Sequence, residues 1–181
     1  MSDYDPTYAI ARTGDETLLY LELHPCPDCG TIETPWEHGL VESDGELVIS
    51  YAGICATCGA ERQYLFGLPE TESVGPFPNF GGPEPSELID AGEWMAVADR
   101  AAGSVPAGAD LAGDQEAAVV LQVARAAVEE VLKFVPAGAD AVPDNAFWTD
   151  DGQAVRAAEP GRFRLERLLV VRDSYSDTGA N

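Results

Sequence analysis

The sequence predicts an α+β protein in two parts: an N-terminal module of short antiparallel strands built around four cysteines, then a small domain of three to five helices. Three observations predict it. All four cysteines fall in two CxxCG runs, at 26–30 and 55–59, with 25 residues between the pairs. Strand-forming stretches flank those runs. A Gly- and Pro-rich segment, GPFPNFGGPEP at 75–85, separates them from a remainder whose apolar residues recur at helical spacing. The division is therefore 1–74 for the cysteine module with an acidic leader, 75–85 for a linker or extended strap, and 86–181 for the helical domain. A chain of 181 residues, 45% apolar and 23% charged, has the composition to fold this way.

In chain order, residues 1–16 read as a loose acidic leader. TLLYLEL (17–23) has strand-forming residues and leads into the first cysteine pair. LVISY (47–51) is a second strand, placed after the turn signal Ser43-Asp44-Gly45, and RQYLFGL (62–68) is a third. Beyond the linker, Ser86 or Asp90 can cap a helix running to about Ala102, with Asp90 and Glu93 spaced as a capping box. Asp114 begins the clearest helix, to about Phe134. Val120, Ala124, Ala127, Val128, Val131 and Leu132 form its inner stripe, and Glu129 and Lys133 form an i,i+4 pair outside. Residues 150–158 suit a short helix, and Pro160 can open the last one. VPAGAD occurs at 105–110 and again at 135–140, each time after a predicted helix. It reads as one helix-ending turn used twice rather than a repeat architecture.

Two residues between cysteines let a tight turn aim both sulfurs at one ion. The Gly after each second Cys permits the backbone twist that points amides back at the thiolates. Cys26, Cys29, Cys55 and Cys58 are thus predicted to hold one structural Zn2+, and a hairpin fits between the pairs. Four cysteine ligands close the coordination shell and leave no position for water or substrate. Disulfides would need an oxidising compartment. A thioredoxin-like pair would need a βαβ setting, and a zinc deaminase a His or Cys two residues before a Glu upstream of Cys26; neither pattern is present.

Residues 20–68 resemble the zinc-ribbon superfamily, in which two knuckles on adjacent β-hairpins clamp a zinc ion. The four cysteines match its ligand positions one by one. The resemblance covers roughly a quarter of the chain and implies fold and metal, not activity. The knuckles are also similar to those of rubredoxin, which carries iron, but the second knuckle lacks the usual Pro of that family.

The chain carries 32 acids against 10 bases, a net charge of −22. Residues 1–155 hold 28 of the acids and 5 of the bases, and from Thr13 to Glu61 there is no Lys or Arg. Such a field repels nucleic-acid phosphates and anionic lipid and attracts basic partners. No opening stretch pairs a basic end with an apolar core, and no apolar run is long enough for a membrane span, so a soluble cytoplasmic protein is expected. The arginines at 162, 164, 167 and 172 read as internal ion pairs or a solvated helix face rather than a basic stripe. Trp94 and the Phe147-Trp148 pair read as core. Trp36 suits either an anchor for a partner or a cover for the metal. His24, two residues before Cys26, reads as an exposed strand-end residue.

With two histidines and no GxSxG, P-loop or HExxH motif, the sequence predicts a binding protein rather than an enzyme. The most concrete expectation is an immunity or inhibitor protein that neutralises a basic toxin such as a nuclease; the likeness to toxin immunity proteins is one of size and charge. Its contact surface would comprise Glu33, Trp36, Glu37, Glu42, Asp44, Glu46, Glu70, Glu72, Glu84, Glu87, Asp90 and Glu93. The alternative is an accessory module of nucleic-acid or transcription machinery, acting through protein contacts.

Overall fold

The computed structural model describes residues 8–109, 111 and 113–175. The chain is α+β, with five α-helices and one three-stranded antiparallel sheet among the described residues. Its contacts divide it into two units at Gly75 and Pro76.

The first unit opens with α1 (Gly14–Leu23), which corrects the expectation of a strand at 17–23. Thr13 lies in extended backbone, and its hydroxyl accepts from the Glu16 amide, as an N-cap requires. Arg12 and Glu16, both buried, form an ion pair, with the Arg12 Nε at 3.0 Å from Oε1. Leucine is also a good helix former, so the local chemistry outweighs the aromatic and β-branched content. The leader is not loose where it is described: Ile10 bridges Gly67, and the Tyr8 hydroxyl donates to Asp44 at 2.7 Å. Residues 1–7 of the predicted leader lie outside the described residues.

The sheet runs β1 (Trp36–Ser43), β2 (Glu46–Ile54), β3 (Glu61–Gly67), in that order. Asp44 and Gly45 form the β1–β2 turn with φ of 53° and 83°, the left-handed pair that a two-residue hairpin loop demands. β1 is not apparent in the sequence, because WEHGLVES lacks a strong strand pattern. One face of the sheet carries Trp36, Tyr51, Tyr64 and Phe66. Tyr20 of α1 packs edge-on against Tyr64 and Phe66, with centroids 5.9 and 5.5 Å away.

The second unit contains α2 (Ala91–Ser104), α3 (Gln115–Lys133), α4 (Asp150–Ala158) and α5 (Leu165–Ser174). α2 packs on α3 and α4, and α3 packs on α5. Phe80, in the Gly/Pro-rich segment, is buried with its ring 4.9 Å from Trp94, so this stretch is a strap on the helical unit. The buried stripe of α3 runs through Ala117, Leu121, Ala124, Val128 and Val131 with Ala127 alongside, while Val120 and Leu132 are only half-buried. Lys133 pairs with Glu130, not Glu129, and Glu129 pairs with Arg125. The two VPAGAD copies make the same turn: Ala109 donates to the Pro106 carbonyl at 3.1 Å and Ala139 to that of Pro136 at 2.9 Å. Asp110 of the first copy lies outside the described residues.

Asp90 ties this unit together. One carboxylate oxygen accepts from the amides of Gly92 and Glu93, and the other accepts from the Trp148 amide and from the amide and hydroxyl of Thr149. Thr149 in turn caps α4 through the Gly152 amide. One buried carboxylate therefore serves the N-termini of two helices, where partial positive charge collects.

Candidate metal centre

The two knuckles are built alike. The Cys26 amide donates to Thr31 at 2.8 Å and the Gly30 amide to Cys26 at 2.7 Å. In the second knuckle, Cys55 donates to Ala60 and Gly59 to Cys55, both at 2.9 Å. Gly30 and Gly59 have φ of 75° and 78°, a conformation that disfavours a Cβ. The first knuckle joins α1 to β1, and the second is the β2–β3 connection. The Ala56 amide joins the two by donating to the Glu33 carbonyl at 3.0 Å.

This brings together all four predicted sulfurs. Cys26 and Cys58 stand 3.6 Å apart, Cys29 and Cys55 3.5 Å, and all four Sγ atoms lie within 4.8 Å of one another. Sulfurs about 2.3 Å from one tetrahedral ion stand about 3.8 Å apart, so the cluster could hold a metal ion with little adjustment. Cys26 and Cys55 are buried, and Cys29 and Cys58 face solvent.

The electrostatics of the four sulfurs favour a cation. The amides of Cys58 and Thr57 draw the Cys55 thiol down to about 6. The Ala60 amide acts in the same sense on Cys58, yet the neighbouring Cys29 and Cys55 sulfurs and burial push that thiol up to about 12. Sulfurs this close compete for negative charge, and a divalent cation among them relieves that competition.

Arg62 braces the site from the sheet. Its guanidinium, only 6% exposed, donates to Thr34 and Tyr64 at 3.0 Å each and to the carbonyl of His24, just before the first knuckle. It also lies over the Trp36 ring at 4.8 Å. Trp36 is thus a half-buried wall of this clamp. His24 is the C-cap of α1, its Nδ1 2.8 Å from the Tyr20 carbonyl, rather than a strand-end residue.

The acids expected at a contact surface divide by burial. Glu33, Glu37, Glu42, Asp44, Glu70, Glu72, Glu84 and Glu87 are exposed, and Glu46 is intermediate. Asp90 and Glu93 are buried at the start of α2, which corrects their assignment to that surface: their carboxylates cap helices. Trp94 and Phe147 are core, but Trp148 is 44% exposed, against the expectation that it packs inside. Among the described residues, seven of the ten bases form ion pairs: Arg12 with Glu16, Arg125 with Glu129, Lys133 with Glu130, Arg156 with Asp144, Arg162 with Asp99, Arg164 with Asp140, and Arg172 with Asp173. Among the described residues, no helix is long and apolar enough to cross a membrane. No protein-family model, curated protein or solved structure matches this chain.

Proposed function

We propose that the protein is a zinc-stabilised, acidic binding protein that neutralises a basic protein partner, most concretely as an immunity protein against a basic toxin such as a nuclease. The observation that carries this reading is the fate of the bases. Arg12 and Arg62, the two bases of the sheet unit, are both buried, and among the described residues five of the helical unit's bases form ion pairs that lie largely at the surface. The exposed acids of the sheet unit therefore face solvent without cations among them, whereas on the helical unit Arg100, Arg164 and Arg167 are exposed beside the acids. A surface of this kind accelerates encounter with a basic partner and makes binding fall with salt. The metal, on this reading, is zinc in a closed, zinc-ribbon-like shell, and its role is to hold the knuckles rather than to catalyse. The same burial of Arg62 argues against direct nucleic-acid contact by the sheet unit.

The test is capture by the tagged protein from host lysate at low and high salt, followed by co-expression with the captured protein. A basic protein released by salt, whose toxicity the co-expressed chain suppresses, is the expected result. Retention of nucleic acid, or of a partner whose binding ignores salt, would overturn the reading.

A further inference from the structure

A groove of about 740 Å³ lies across the sheet beside the knuckles. Its floor includes Ala52 and Ile54, with Glu37 on one side and Glu61 on the other. The register explains the arrangement. Glu37 pairs with Ala52 and Ala52 with Gln63, while Ile54 pairs with Glu61, so these side chains share one face of the sheet. Arg62, one residue along, also lines the groove, but its side chain falls on the opposite face, where the guanidinium is held by Thr34, Tyr64 and the His24 carbonyl.

Ile54 is 58% exposed, an unusual place for a large β-branched side chain on a strand, and Ala52, Glu37 and Glu61 are exposed as well. Neither glutamate pairs with a base among the described residues. The outer edge of β1 has no further strand beside it among the described residues, so an extended segment has room to run there.

We propose that this groove is the docking site for an extended basic segment of a protein partner, which lays one Lys or Arg side chain across Ala52 and Ile54 with its cation between Glu37 and Glu61. This rests on the acidic-binding reading above and names its contact. An aliphatic stem ending in a cation matches an apolar floor flanked by carboxylates. A second copy of the chain would bring like charges together, and a nucleic acid would set phosphates against both glutamates.

The test uses the full metal-loaded chain and a 12-residue peptide of alternating Lys and Thr, with amide chemical shifts followed by NMR. The expected shifts concentrate at Glu37, Ala52, Ile54, Glu61 and Gln63. The double variant Glu37→Gln, Glu61→Gln should bind about fivefold more weakly, whereas Glu22→Gln, Glu116→Gln, with the same net charge and outside the expected contact surface, should change affinity less than about twofold. All four positions are exposed, so both variants should fold. Equal losses in the two variants would overturn the groove and leave the acidic-binding reading standing. A wild-type chain that binds no basic peptide at low salt would overturn both. Shifts of the same amides with chain concentration alone, or with a single-stranded oligonucleotide, would replace the proposed occupant and overturn the groove assignment.

Discussion

Glu93 caps α2 from the inside, accepting the Asp90 amide at 3.1 Å while Asp90 accepts the Glu93 amide at 2.9 Å. Burial pushes its carboxyl up to about 7. The Asp90 amide opposes that shift, and the charges of Asp90 and Asp151 add to it. The folded chain therefore holds this proton more tightly than the unfolded chain does. Its stabilising contribution is complete below the ordinary value of 4.5 and is lost as pH rises through about 7. Glu93→Gln should accordingly remove a fall in stability between pH 4.5 and 7, with the two curves parallel at higher pH. Urea unfolding across that range measures it, and curves parallel throughout would show that Glu93 does not titrate there. The capping box itself was legible from two acids three residues apart. What no local pattern could reveal is that Asp90 also serves Thr149, 59 residues away, and so the residue looked like one more surface acid in a chain full of them.

The same junction is decided between elements by two glycines. A Cβ on Gly92 would meet the Gly152 carbonyl oxygen at 2.2 Å, and one on Gly152 would meet the Asp90 carboxylate at 2.0 Å. Neither obstacle can yield, because one is backbone and the other is pinned by five hydrogen bonds. Gly92→Ala and Gly152→Ala should each cost about 3 kcal/mol, while Gly161→Ala, with open space around it, should cost less than about 0.5 kcal/mol. Thermal unfolding ranks the three; similar midpoints would mean that α2 and α4 do not approach as closely as described. Elements with their signals in adjacent residues were readable: the Asp-Gly hairpin turn, the Asp114 cap, the helix after Thr149. Those fixed by distant partners were not. β1 becomes a strand because β2 pairs with it across the turn. In α1, the Thr13 cap and the Arg12–Glu16 pair outweigh a composition that favours extension.

Over the whole molecule, the two units hold themselves together by different means. The helical unit has a continuous apolar interior, with Ile89, Trp94, Val128, Val131 and Leu168 all at 0% exposure. The sheet unit has one aromatic cluster, around Tyr20, Tyr64 and Phe66, and two knuckles whose sulfurs converge without a disulfide. The four cysteines that could hold a metal ion were fully legible because their spacing is local. The second buttress, Arg62, was not, because a lone arginine in a strand reads as surface until the pairing turns it inward. A metal held by these sulfurs would close the loop from the first knuckle to the second and should supply much of this unit's stability. Elemental analysis should find one zinc ion per chain, and a stoichiometric iron content would correct the metal. Removing the ion with a strong chelator should lower the melting point of the sheet unit by more than about 10 °C, given about 4–8 °C per kcal/mol for a domain of that size. Hydrogen exchange resolves the units separately: amides of 46–54 and 61–67 should lose protection, while those of 91–104 and 121–131 keep it. Unchanged protection in the sheet after chelation would mean that the aromatic cluster suffices and the sulfur cluster is not structural. Loss of protection in the helices as well would mean that the helical unit depends on the metal despite its own core.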